Sequence, residues 1–135
     1  MTSSQSTAVT VVLAVLMFVP GALADRAGTC AALVETRSAL WSMMDAKDKS
    51  AQDALNAKVQ AASTKLDTAL AGMTGSDAKV TAEFKAVWDQ FKATRENEIV
   101  PAIYAGKAND AKKIAAGIQA DRLSKMWVIM SCKTR

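Results

Sequence analysis

The stretch that decides the fold lies in the second half of the chain, at residues 76–95, and reads SDAKVTAEFKAVWDQFKATR. Ser76 and Asp77 offer a hydroxyl and a carboxylate where a helix would begin. Apolar residues then recur every three or four positions, and the stripe ends on an arginine: Val80, Phe84, Val87, Trp88, Phe91 and Arg95. This 3.6-residue period predicts an amphipathic helix with one buried face.

The same period extends in both directions from this stretch. Pro101 falls late in the helix and should kink or shift its last turn, and Gly106 and Asn109 mark a stop and a new start. A following helix carries the stripe Ile114, Ile118, Arg122, Met126 and Ile129 and ends near Cys132. A preceding helix runs to Gly72, and the first starts at about Cys30, with Arg37 where an apolar residue is due.

The link between the first two helices contains neither glycine nor proline. The polar residues 45–49, followed by Ser50 and Asp53 in a helix-start pattern, favour a turn. Four helices with short loops predict an all-α, up-down-up-down antiparallel bundle. The alternative is three long helices, with helices 1 and 2 continuous from about Cys30 to Gly72.

The composition excludes several classes of protein. The chain has 135 residues, a net charge of +4 and no histidine. Without histidine there is no Ser-His-Asp or Cys-His enzyme, no His-ligated zinc or copper and no His-ligated haem. We therefore expect no enzyme, no catalytic residues, no cofactor and no metal. We also expect no nucleic-acid partner, because the positive charge forms no basic stripe.

Residues 1–24 have the layout of a secretory signal peptide. An apolar run from Ala8 to Val19 is followed by Pro20-Gly21 and the small-residue cleavage pattern Ala22-Leu23-Ala24. The alternative is a retained membrane anchor, although the run is short against the roughly 20 residues of a spanning helix. We expect cleavage, a bundle domain over 25–135 without a transmembrane segment, and a secreted or periplasmic location.

The two cysteines, Cys30 and Cys132, lie near opposite ends of this domain. An even count in an exported protein favours a disulfide. In an up-down-up-down bundle the start of the first helix and the end of the fourth meet at one pole. Parity and topology therefore predict the same Cys30–Cys132 bridge, while separate thiols or an intermolecular bridge are the alternatives.

The second half of the chain resembles a known family. Residues 83–102, with their F-x-x-x-W-x-x-F pattern, and the Gly106–Ala111 hairpin are similar to the four-helix-bundle ligand-binding (sensor) domain of bacterial methyl-accepting chemotaxis receptors. Residues 37–70 fit only loosely. The resemblance implies a sensor domain that binds amino acids or organic acids through arginines between its helices. The chain lacks the receptors' membrane spans, HAMP linker and cytoplasmic coiled coil, which implies a free-standing exported form.

Candidate ligand-binding residues follow from heights along the bundle. Measured from the cysteine pole at ~1.5 Å per residue, Arg37 lies near ~10 Å, Trp41 and Trp88 near ~16 Å and Arg122 near ~15 Å, so we expect these four residues to share one level. Arg95 lies higher, near ~27 Å. Arginine forks beside aromatic faces suit a carboxylate with an apolar body. The alternative is a structural role, in which the tryptophans pack in the core and the arginines lie at the edge of the apolar stripe, paired with neighbouring acidic residues.

Two functions therefore remain open from the sequence. The first is an exported, sensor-like bundle that binds a small organic acid or amino acid, or docks on a membrane receptor. It could be a homodimer, with the site formed across the dimer. The second is a structural or interaction protein that binds a protein partner through its helix faces and has no ligand pocket.

Overall fold

The computed structural model describes residues 22–133. The predicted signal peptide lies outside the described residues for positions 1–21, so its cleavage stays a prediction. The first helix begins at Ala22, inside the predicted cleavage pattern and eight residues before Cys30. No helix in the described part has the length and apolarity needed to cross a membrane.

The described chain is helical and contains no strand, which confirms the all-α prediction. It forms four rods, of which the first two are the unbroken helices α1 (Ala22–Asp45) and α2 (Lys49–Gly72). The third rod comprises a 3-10 turn (Gly75–Asp77), α3 (Ala78–Thr94), a π turn (Arg95–Ile99) and α4 (Val100–Tyr104). The fourth comprises α5 (Ala108–Ala116) and α6 (Ile118–Ile129), separated at Gly117.

The turn predicted between the first two helices is present, so the continuous-rod alternative is wrong. The residue that caps α2 is Asp48 and not Ser50, because Asp48 Oδ1 accepts a hydrogen bond from the Ala51 N–H at 2.8 Å. The carboxylate of Asp77 makes no capping hydrogen bond to the start of α3. It accepts instead from Arg26 Nη2 at 2.7 Å, which ties the beginning of α1 to the α2–α3 turn.

The rods are antiparallel neighbours in the predicted order. Helix α1 packs against α2 and α5, and α3 packs against α6. A disulfide joins Cys30 of α1 to Cys132 just after α6, with their Cα atoms 5.7 Å apart. The predicted bridge is confirmed, and it joins the end of the fourth rod to α1 at Cys30, eight residues after this helix begins.

The core consists of two apolar clusters stacked along the bundle axis. The disulfide-side cluster contains Ala32, Leu33, Leu66, Leu70, Met73, Phe84, Trp88, Phe91, Met126 and Met130. The turn-side cluster, near the α1–α2 turn, contains Leu40, Met43, Met44, Val59, Ile99, Val100, Ile103, Ala111 and Ala115. All four rods contribute to both clusters, so the junction between the clusters crosses the whole bundle.

The irregularity expected around Pro101 occurs just before it. In the π turn, the Val100 N–H donates to Arg95 O, five residues back instead of four. Pro101 has no N–H to donate and lies in the first turn of α4. Gly106, with φ of +74°, then ends the third rod in the left-handed conformation that glycine adopts without strain.

Candidate functional site

A layer of polar side chains separates the two apolar clusters. Each rod contributes one buried polar residue to this polar layer: Thr36, Ser63, Arg95 and Gln119. Each falls between a residue of one cluster and a residue of the other on its own rod, as Thr36 does between Leu33 and Leu40. The layer therefore lies at the cluster junction in the middle of the bundle.

Arg95 is the charged member of the polar layer and is only 1% exposed. Its Nε donates to Glu96 Oε1 at 2.9 Å, and its Nη1 donates to Ser63 Oγ at 2.7 Å. Its guanidinium lies over the Trp88 ring, 5.8 Å from the centroid. A buried charge costs several kcal/mol unless it is paired and hydrogen-bonded, and these contacts supply that compensation.

Gln119 and Arg122 join the third and fourth rods at the same level. The Gln119 amide donates from Nε2 to Phe91 O at 2.9 Å, and its Oε1 accepts from Arg122 Nη1 at 2.9 Å. Arg122 Nη1 also donates to Thr94 Oγ1 at 2.7 Å. Arg122 is thus committed to contacts inside the bundle.

Both breaks in the regular helices coincide with the polar layer. The π turn begins at Arg95, and the fourth rod breaks at Gly117, two residues before Gln119. Single π turns within α-helices frequently occur at functional sites. The middle of the bundle is therefore the least regular part of its backbone.

The two tryptophans predicted to share one height lie in different clusters. Trp88 is fully buried in the disulfide-side cluster, where its Nε1 donates to Asp67 Oδ1 at 2.7 Å. Trp41 is half-buried against the turn-side cluster. Arg95, predicted to lie higher than Trp88, contacts it directly.

The predicted heights fail because equal counts of residues from the disulfide pole do not bring the rods to the same level. Thr36 follows Cys30 by six residues and Arg95 follows Asp77 by eighteen, yet both belong to the polar layer. The Arg26–Asp77 bond joins the start of α3 to α1 one turn before Cys30.

Arg37 lies outside the core, in a groove of about 440 Å³ between α1 and α6. Its lining includes Leu33, Val34, Leu123 and Trp127 beside Arg37. Among the described residues, no hydrogen bond or ion pair holds Arg37, and no acidic side chain lines this groove. Arg37 is therefore the predicted site arginine whose guanidinium is available to a ligand.

A second groove of about 500 Å³ continues the first toward the disulfide. The two share Val34 and Trp127. The second is lined mainly by apolar atoms, including the two cysteines, and carries Arg26 and Lys133. A third groove, between α1 and α2, contains the Glu35–Lys65 ion pair at 3.2 Å, so its charges are already partly matched.

The structure thus brings Trp88, Arg95 and Arg122 to the interior around the polar layer and leaves Arg37 in the groove and Trp41 in the other cluster. Sequence reasoning missed Thr36, Ser63, Gln119 and Trp127. A signal existed for the first three, because each is a polar residue at a position where the helical stripe is due to be apolar. Trp127 carried no such signal, since an aromatic residue near a helix end is equally consistent with a position in the core and one in a groove.

Comparison of the chain with protein-family models, curated proteins and solved structures finds no match to any of them.

Proposed function

We propose that this protein is an exported, non-enzymatic, sensor-like binding protein that holds a small organic anion in the groove between α1 and α6. The observation that carries the proposal is Arg37, a half-buried guanidinium in a largely apolar groove without an acidic partner among the described residues. The resemblance to chemoreceptor sensor domains points to the same ligand chemistry, an amino acid or organic acid.

The groove suits an anion with an apolar body. The planar fork of Arg37 can bind a carboxylate through two parallel hydrogen bonds. The apolar walls at Leu33, Leu123 and Trp127 would cover the body of the ligand and exclude water. Low-dielectric walls strengthen the charge interaction, so a single arginine can fix the ligand's orientation.

The other predicted residues take a supporting part in this proposal. Arg122 lies on α6 next to Leu123. Its hydrogen bonds to Thr94 and Gln119 help to hold α6, which forms one wall of the groove, in position. Arg95 and Trp88 stabilise the polar layer. We assign the ligand contact to Arg37 alone.

A thermal-shift screen of organic acids and amino acids on the mature protein tests the proposal. A ligand that binds the folded state raises the melting temperature in proportion to its saturation. We expect carboxylates with an apolar body to give a shift that Arg37→Gln abolishes. The matched control is Lys58→Gln, an exposed cation of the third groove, which should keep the shift. The proposal would be refuted if no compound changed the melting temperature, or if Arg37→Gln showed the same shift as the wild type.

A second candidate is an interaction protein that binds a protein partner, such as a second copy or a membrane receptor, through α6. The observation behind it is the exposure of two large apolar side chains on this helix, Ile118 at 52% and Val128 at 75%. Sedimentation of the wild type and of Val128→Lys tests it. A dimer that Val128→Lys dissociates supports this candidate, and a monomer at all concentrations removes the second copy as the partner.

A further inference from the structure

The two grooves beside α1 form one long groove. They share Val34 and Trp127, so an extended ligand can pass from the Arg37 end to the disulfide end without leaving the surface. Along α1 the long groove extends from Arg26 to Arg37, a distance of about 16 Å at the rise of an α-helix. Its length exceeds what a small organic acid fills.

Among the described residues that line the long groove, cationic side chains lie at its two ends. Arg37 lies at one end, and Arg26 and Lys133 lie at the other. Arg26 is neutralised by Asp77 through their 2.7 Å contact. Neither Arg37 nor Lys133 has such a partner among the described residues, and of the two the half-buried Arg37 has the planar fork that suits a carboxylate.

The middle of the long groove is uncharged and shallow-walled on the α1 side. Ala27, Ala31 and Val34 line it there, and Trp127 and Met130 line it opposite. Two alanines leave room that a larger side chain would fill. Covering such a surface with an apolar chain is favourable because both surfaces are removed from water.

We propose that the ligand is a free, monomeric long-chain carboxylate of the fatty-acid type. Its carboxylate binds Arg37, and its alkyl chain lies along Val34, Ala31 and Trp127 toward the disulfide. This inference rests on the proposed function and specifies its ligand class. A concave groove with one available arginine accepts a single chain, whereas a bilayer surface is bound by a helix face rich in lysine and arginine.

The test is isothermal titration of the mature protein with hexanoate, octanoate, decanoate and dodecanoate, each below its micelle concentration. We expect affinity to rise about fourfold with each added methylene, until the chain fills the groove. Arg37→Gln should weaken all four ligands by a similar factor. 1-Octanol, which has the chain without the charge, should bind more weakly than octanoate.

A groove-filling variant isolates the role of the alkyl chain. Ala31→Leu adds bulk at an exposed helix position in the middle of the long groove, and we expect it to weaken dodecanoate at least tenfold while sparing hexanoate. The matched control is Ala54→Leu, at an exposed position of α2, which should change neither. Helix content by circular dichroism checks that both variants fold.

The outcomes separate this inference from the proposed function. Binding of short anions through Arg37 with no dependence on chain length overturns the inference and leaves the proposed function standing. Absence of binding at every length overturns the inference, and the thermal-shift screen of organic acids and amino acids then decides whether the proposed function stands. Equal binding of 1-octanol and octanoate, or binding to phosphatidylglycerol vesicles without binding of monomers, also overturns the inference.

Discussion

Arg95 donates a 2.7 Å hydrogen bond to Ser63 across the interface between the third rod and α2, with both side chains buried. The arginine's charge is balanced by Glu96, which is 41% exposed at its side chain and also accepts a hydrogen bond from Gln60 Nε2 at 2.8 Å. The buried charge of the core therefore depends on a carboxylate that lies at the surface.

This dependence predicts that removing the surface partner is worse than replacing the buried arginine. Glu96→Ala leaves the Arg95 charge without compensation, and we expect a loss of about 2 kcal/mol in the free energy of unfolding, less than for a fully buried pair because Glu96 is half-exposed. Arg95→Met replaces the charge with an apolar side chain of similar length, and we expect a change below about 1 kcal/mol in either direction. Urea denaturation measures both.

The control for this comparison is Glu98→Ala, an exposed neighbour on the same π turn. A surface substitution of this kind should change stability by less than about 0.5 kcal/mol. A larger loss in Arg95→Met than in Glu96→Ala would contradict the prediction.

The buried indole of Trp88 depends on Asp67 in a similar way. The indole N–H donates to Asp67 Oδ1 at 2.7 Å, and a buried donor without a partner costs about 1–3 kcal/mol. We expect Asp67→Ala to lose about this amount in the wild-type background and much less in a Trp88→Phe background, where no N–H remains. Chemical denaturation of the four proteins of this double-mutant cycle gives the coupling, and a coupling near zero would refute it.

The parts of the fold that follow from local signals could be predicted from the sequence. The stripe from Val80 to Phe91 gives a helix whose inner face is the observed one, and Gly106 ends the third rod as expected. The disulfide followed from cysteine parity together with bundle topology. These signals need no knowledge of how one helix is shifted along another.

The polar layer could not be predicted because it depends on that shift. Its level depends on which residues of neighbouring rods lie side by side, such as Ser63 and Arg95, and no local signal in the sequence gives this. The direction of a side chain is also sensitive to a single position, since consecutive residues of a helix are rotated by about 100°. Arg37 was predicted to lie in the inner stripe of α1. The core position is taken by its neighbour Thr36, and Arg37 lies in the groove.

The disulfide should contribute a large share of the stability of this bundle. It closes a loop between residues 102 positions apart, for which the chain-entropy model gives up to ~4–5 kcal/mol. We expect the Cys30→Ala/Cys132→Ala variant to lose a free energy of unfolding of this order. Urea denaturation of the oxidised wild type and the variant measures the difference, and equal stabilities would contradict the expectation.

The contact between Asp45 and Lys112 predicts a pH-dependent contribution to stability. The hydrogen bond from Lys112 Nζ to Asp45 Oδ1, at 2.7 Å, holds the pKa of this carboxyl below its ordinary value. A lowered pKa in the folded state contributes stability above the unfolded pKa of about 3.9 and loses it as pH falls through the folded pKa. The wild type should therefore melt above Asp45→Asn at neutral pH, and the difference should vanish in acid.

Thermal melts over a series of pH values check this dependence. Glu98→Gln, which removes an exposed carboxylate, is the control and should follow the wild-type curve. A difference between the wild type and Asp45→Asn that persists unchanged in acid would exclude the ion pair as its source.

The hydroxyl of Tyr104 donates to Asp53 Oδ1 at 2.7 Å near the α1–α2 turn. This hydrogen bond, burial and the negative charge of Asp53 raise the pKa of Tyr104 above its ordinary value, although Lys49 Nζ lies 5.5 Å from the ring centroid and favours the phenolate. Since Tyr104 is the sole tyrosine of the chain, an ultraviolet absorbance titration reports it without overlap from another phenol. Asp53→Asn removes the charge but keeps an oxygen acceptor, so we expect the pKa of Tyr104 to fall toward about 10.

Because the pKa of Tyr104 is raised in the folded state, it also determines how the free energy of unfolding changes with pH. The contribution of the Tyr104–Asp53 contact is present below the unfolded pKa of tyrosine and is lost as pH rises through the folded pKa. Alkaline unfolding of the wild type should therefore begin at a higher pH than that of Asp53→Asn. Asp89→Asn, which disrupts an ion pair with Lys85 on α3, controls for the loss of a carboxylate as such. An unchanged Tyr104 titration in Asp53→Asn would mean that Asp53 does not set this pKa.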